Sequence, residues 1–108
     1  MSFTSDIIRG HTETIILALL LHSDSYGYEI NKSIKEKTGG QYEAKEATLY
    51  TAFRRLEQNG FIRSYWGDEA AGARRRYYTI TDQGREAYAQ YKTEWHKIKN
   101  FIDSLLAD

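Results

Sequence analysis

The sequence predicts a mainly α-helical domain with one β-hairpin, and three observations carry that prediction. Apolar residues recur at helical spacing in three stretches, Asp6 to Leu21, Ala44 to Gly60 and Gly84 to Leu105. Between the second and third, Phe61 to Trp66 and Arg74 to Ile80 are rich in aromatic and β-branched residues. Gly67 and Gly72 bracket the residues that join those two runs, as a hairpin loop requires.

The first helix is expected over Asp6 to Leu21, with Thr4 or Ser5 as N-cap and Asp6 favourable in the first turn. Its apolar residues from Ile15 to Leu21 cover too much of the circumference for one core. They suit either a central helix or a helix that also meets a second copy of the chain.

Ser25 can cap a second helix through Tyr26, Ile30 and Ile34, which Thr38-Gly39-Gly40 ends. After a connection through Gln41 to Lys45 comes the third helix, whose Leu49, Ala52, Phe53 and Leu56 form one apolar stripe. Thr48, Thr51, Arg55 and Gln58 fall on another side, flanked by Tyr50 and Arg54, and Asn59-Gly60 allows the left-handed residue that ends a helix. Hydroxyl, amide and guanidinium donors without a negative charge suit base edges and phosphates, although many solvated helices look similar.

A helix pair with its polar face on the second member fits a helix-turn-helix, and a hairpin directly after it is a wing. Arg74, Arg75 and Arg76 stand at the far edge of the hairpin loop, where cations can lie against DNA phosphates. A charged strand edge also prevents sheet-to-sheet pairing.

Thr81 caps the last helix. Gly84, Tyr88, Tyr91, Trp95, Ile98, Ile102 and Leu105 step alternately by four and three, the a/d repeat of a coiled-coil seam. Together with the surplus apolar surface of the first helix, this seam argues for a homodimer. The expected division is a winged helix-turn-helix DNA-binding domain over residues 1–80 and a dimerisation helix over 81–108.

Composition narrows the remaining classes. The 108 residues include no Pro and no Cys and only three His, so disulfides, thiol chemistry and a metal site of ordinary spacing have no basis, and no cofactor is expected. The longest apolar run falls far short of the roughly 20 residues that span a bilayer. With no signal-like start, a cytoplasmic protein is expected. Formal net charge is +0, yet Lys45 to Arg76 holds seven cations against four anions. Local clusters act independently beyond a Debye length of about 8 Å. His11, His22 and His96 have no acid or nucleophile at motif spacing, so an enzyme is not expected.

Tyr26-Gly27-Tyr28-Glu29-Ile30, Ala47-Thr48-Leu49-Tyr50 through Leu56-Glu57-Gln58-Asn59-Gly60, and Arg74-Arg75-Arg76-Tyr77-Tyr78-Thr79-Ile80-Thr81 with Gly84 resemble the PadR family of bacterial transcription regulators. The resemblance covers nearly the whole chain. It looks closest to the short subgroup with a single C-terminal helix, and within it to multidrug-binding regulators of lactic acid bacteria, through Glu46 to Thr51 and Ser64 to Glu69.

The resemblance implies a dimeric winged-helix repressor with a planar aromatic or drug-like effector at the dimer interface. Trp95 matches the tryptophan that faces its dimer mate across the drug pore, and Ile7, His11, Thr14 and Ala18 would line the same space. Lys99 stands where the drug-binding relatives carry an acid, which favours neutral or anionic aromatics. From the seam alone Trp95 reads first as an ordinary interface aromatic, and the resemblance reverses that order; a bulky indole near a dyad can also hold two helices apart.

The expected DNA-binding residues are therefore Thr48, Tyr50, Thr51, Arg54 and Arg55 on the third helix and Arg74, Arg75 and Arg76 on the wing. Regulation of phenolic-acid stress, the other role the resemblance implies, and a protein-interaction module without a DNA site are the rival readings.

Overall fold

The computed structural model of the chain describes residues 2–67 and 74–108. In order these form α1 (Phe3–Arg9), α2 (Thr12–Leu20), β1 (Ser25–Tyr26), α3 (Gly27–Lys37), α4 (Glu46–Gln58), β2 (Ile62–Trp66), β3 (Arg76–Ile80) and α5 (Asp82–Leu106). The mainly helical class with a hairpin is as expected. Of the loop between the two hairpin strands, residues 68–73 lie outside the described residues.

The single helix expected over Asp6 to Leu21 is two helices, broken at Gly10 and His11. His11 leaves helical geometry at φ −110, ψ 16. Three groups then take up carbonyls the break would strand. The His11 backbone N–H donates to Ile8 O at 2.9 Å. Its ring Nδ1 donates to Ile7 O at 2.8 Å, and Thr12 Oγ1 donates to Arg9 O at 2.7 Å. The cap is Ser2 rather than Thr4 or Ser5, its Oγ accepting from Ser5 N at 3.0 Å.

Ser25 does not cap α3. It pairs with Tyr78 in a short strand that periodicity did not announce, giving a three-stranded antiparallel sheet of order β1-β3-β2. The Ser25 hydroxyl instead donates to Glu29 Oε1 at 2.5 Å, one turn into α3. Across the hairpin, Ile62 faces Ile80, Ser64 faces Tyr78 and Trp66 faces Arg76.

The core gathers Ile16, Leu17 and Leu20 of α2, Ile30 and Ile34 of α3, the whole α4 stripe, and Ile62, Tyr78 and Ile80 of the sheet. Leu49, Ala52, Phe53 and Leu56 are all buried, so the apolar side of α4 is its docking side. Phe53 lies flat on Tyr78, ring centroids 4.1 Å apart and planes at 14°, joining α4 to the central strand.

Two devices fix α4 relative to its neighbours. Gly39 and Gly40 take positive φ, 63° and 82°, and turn the chain out of α3. The Asn31 side chain then clasps the returning segment, donating to Ala44 O and accepting from Ala44 N, both at 2.8 Å. After α4, Gly60 takes the left-handed conformation at φ 77°.

Thr81 caps α5 as expected, accepting from Gly84 N at 3.0 Å, while its hydroxyl donates to Gly60 O at 2.7 Å. A Cβ at Gly84 would lie 2.1 Å from Phe61 O, so the approach of α5 to the sheet needs a glycine there. The first turns of α5 pack on α2, with Ala87 buried and Tyr88 and Tyr91 half-buried. From Lys92 onward every residue of the helix is exposed in the single chain.

Candidate functional site

With its apolar stripe buried, α4 turns Tyr50, Thr51, Arg54 and Arg55 to solvent, and Thr48 is half-buried beside them. These side chains divide between two hollows. On one side, Tyr50 joins Tyr26 and Tyr28 at the start of α3 and Trp66, Arg74, Arg75 and Arg76 of the wing around a groove of about 450 Å³. On the other, Thr48, Thr51 and Arg55 line a cleft of about 390 Å³ whose far wall is Arg9, Thr12 and Glu13. Arg54 lines neither and points away from the core.

The three wing arginines have different settings. The Arg74 guanidinium sits 5.3 Å from the ring centre of Trp66, itself 56% exposed, and that of Arg75 sits 4.8 Å from the ring centre of Tyr26. Stacking of this kind holds a cation against an aromatic face at the surface. Arg76 instead donates to Ser64 Oγ at 2.9 Å and approaches Glu57 Oε1 at 3.5 Å, while Ser64 donates to Glu57 Oε2 at 2.9 Å. That network ties the wing to the last turn of α4. Sequence reasoning did not find it, since Glu57 and Arg76 are brought together only by the sheet.

The wing is also tied at its other strand. Tyr65 donates to Asp24 Oδ2 at 2.6 Å, and this hydrogen bond, with smaller contributions from desolvation and the Asp24 charge, raises the phenol above its ordinary pKa. Burial pushes the Tyr78 phenol up as well, with Arg76 opposing. Both remain neutral hydroxyls across the neutral range.

A second site lies where α5 leaves the core. Ile7 and Ile8 of α1, His11 at the break, and Thr14, Ile15 and Ala18 of α2, with Tyr88, Lys92, Trp95 and His96 on α5, line an open cavity of about 450 Å³. Five of the six expected effector residues, Ile7, His11, Thr14, Ala18 and Trp95, thus converge on one space. Lys99 does not line it; the lysine that does is Lys92, two turns earlier, with Nζ 5.9 Å from the Tyr88 ring centre. Lys92 and His96 stand four residues apart on the helix on either side of Trp95, a signal the seam pattern alone passes over. Among the described residues, no acidic side chain lines the cavity.

Among the described residues, no group of three or more His, Cys, Asp or Glu is placed to hold a metal ion. Nor is any helix among them long and apolar enough to cross a membrane.

A helix pair held by a clasp, an outward polar face and an adjoining cationic wing define a winged-helix regulator of the DNA-binding class. The chain matches the PadR-like family of transcriptional regulators over residues 16–90, and it belongs to that family. It is similar to a solved transcriptional regulator from Clostridium thermocellum, with 51% identity and a TM-score of 0.87 over 95% of this chain and 100% of that one. An uncharacterized protein of Lysinibacillus sphaericus is 46% identical over 92% of this chain and 91% of its own. The negative transcriptional regulator PadR of Bacillus subtilis is 31% identical over 66% of this chain and 39% of its own length.

Proposed function

We propose that this transcriptional regulator is a cytoplasmic repressor that binds a pseudo-palindromic operator as a homodimer and is relieved by a planar aromatic effector. The observation that carries the DNA reading is the shared groove in which Tyr50 of α4 meets Arg74 and Arg75 of the wing. In this reading residues 1–80 bind DNA, with α4 of each copy in successive major grooves about 34 Å apart. Thr48, Tyr50, Thr51, Arg54 and Arg55 contact base edges and nearby phosphates, and Arg74 and Arg75 track the flanking backbone. Arg76 aligns the wing through Glu57. The negative regulator of Bacillus subtilis supports repression rather than activation.

Residues 81–108 carry the dimer. Ile98, Phe101, Ile102 and Leu105 are exposed along one side of the free end of α5, an apolar surface that a second copy can cover. The cavity beside Trp95 then opens toward the dyad. Lys92 and His96 at its wall, without an acid, favour neutral or anionic aromatics over cationic drugs. This setting also suits the phenolic-acid role, so a phenolic carboxylate and a cationic dye are the two ligands to compare. A ligand lowers DNA affinity only as far as it prefers an arrangement of the two heads that DNA rejects.

The experiment is a gel-shift series on a random duplex pool at several salt concentrations. The expected result is selection of a palindromic site with affinity that falls as salt rises. Failure to bind any duplex at low salt would sink the DNA reading and favour a protein-interaction module.

A further inference from the structure

We infer that Glu13 is a positioning residue for Arg55, setting the direction in which α4 presents that guanidinium to DNA. The inference rests on the DNA-binding reading above.

Glu13 Oε2 lies 3.4 Å from Arg55 Nε, across the cleft between α2 and α4. Nε is the guanidinium nitrogen nearest the aliphatic stem. A carboxylate that holds it leaves the two terminal amino groups as a fork, the part that reads a guanine edge or a phosphate. Exposure is divided in the same sense: the Arg55 side chain is 67% exposed and that of Glu13 only 28%. The acid is set back and the fork projects.

The acid also has a firm base. Glu13 stands in the first turn of α2, where a negative charge is favoured, and Ile16, Leu17 and Leu20 bury that helix in the core. Thr48 and Thr51 open on the same cleft, so a restrained Arg55 shares its target with two hydroxyls of the same helix face. A free arginine loses rotamer freedom on binding whatever it contacts. An arginine already held in one direction loses less for a target in that direction only. The pair therefore acts on discrimination between sequences more than on general affinity.

The test compares the duplex selected by the wild type with a scrambled duplex, for the wild type, Glu13→Gln, Arg55→Gln and the double variant. Glu13→Gln is expected to narrow the ratio of the two affinities about tenfold, the scale of one good base contact. In the Arg55→Gln background it should narrow the ratio no further. Equal tightening on both duplexes would show that the carboxylate only repels phosphate and would overturn the inference. So would an unchanged ratio, or the same loss without Arg55.

Arg55→Lys removes Nε and leaves α2 untouched, so it must narrow the ratio even if Glu13→Gln fails to fold; wild-type discrimination in Arg55→Lys overturns the inference too. A wild type that selects no duplex from the pool at low salt defeats the DNA reading and the inference together, whereas a discriminating wild type with an equally discriminating Glu13→Gln defeats the inference alone.

Discussion

His11 and Trp95 meet edge to face, ring centroids 5.0 Å apart and planes at 73°. The imidazole cannot turn freely, because its Nδ1 is committed to the Ile7 carbonyl at the break between α1 and α2. The indole wall of the cavity thus rests against a ring anchored at a backbone break some eighty residues earlier in the chain. For a flat aromatic dye, Trp95→Ala is expected to abolish binding read by the dye's own anisotropy, and Trp66→Ala to leave it intact. His11→Ala should weaken binding several-fold, since an edge-to-face pair contributes about 0.5–1.5 kcal/mol. Loss of binding in Trp66→Ala alone would place the ligand at the wing.

Arg75 and Thr51 separate affinity from selectivity. Arg75→Ala is expected to weaken binding to all duplexes alike and to reduce the slope of log affinity against log salt by about one per subunit. Thr51→Ala should change which sequence is preferred while leaving that slope in place. A salt series on two duplexes measures both; wild-type behaviour in both variants contradicts the proposed interface.

Gly84→Ala probes the join of α5 to the sheet. Its Cβ would stand 2.1 Å from Phe61 O and 2.8 Å from Ile80 Cγ1, so backbone must move. A loss of about 1–3 kcal/mol is expected from overpacking, read as a lower thermal midpoint. A midpoint equal to wild type would mean that the helix start shifts without penalty.

The free end of α5 is the proposed dimer surface. Ile98→Glu with Ile102→Glu changes two side chains that are 45% and 48% exposed in the single chain. The helical signal in circular dichroism should survive, while sedimentation equilibrium moves from dimer to monomer. A dimer that persists would put the interface elsewhere.

Where packing follows local pattern, the sequence was a good guide. The stripe Leu49, Ala52, Phe53 and Leu56 announced the buried side of α4, and Thr81 with Asp82 announced the start of α5. The break after Arg9 was hidden because a lone glycine is tolerated inside a helical pattern, and what completes the break is side-chain bonding by His11 and Thr12. Strand β1 was hidden for another reason: two residues have no period, and Ser25 and Tyr26 become a strand only by pairing with Tyr78 and Tyr77.

The same limit applies to the sites. Residue types along α4 and the wing pointed to nucleic acid, and five of the six residues expected to meet an effector line one cavity. Pairings across the fold left no trace in the order of residues. Glu13 with Arg55 and Glu57 with Arg76 are such pairs, each setting a carboxylate beside an arginine expected to meet DNA.

Helix α2 is only nine residues long, and it serves both hollows. Thr14, Ile15 and Ala18 face the Trp95 cavity, while Thr12 and Glu13 face the cleft beside α4. Under the proposed function, a substitution that reshapes the Trp95 cavity from this helix also falls on the helix that carries Glu13, the neighbour of Arg55. On that reading effector range and operator choice are coupled through α2, and an engineer who wishes to alter one without the other should work from the α5 wall.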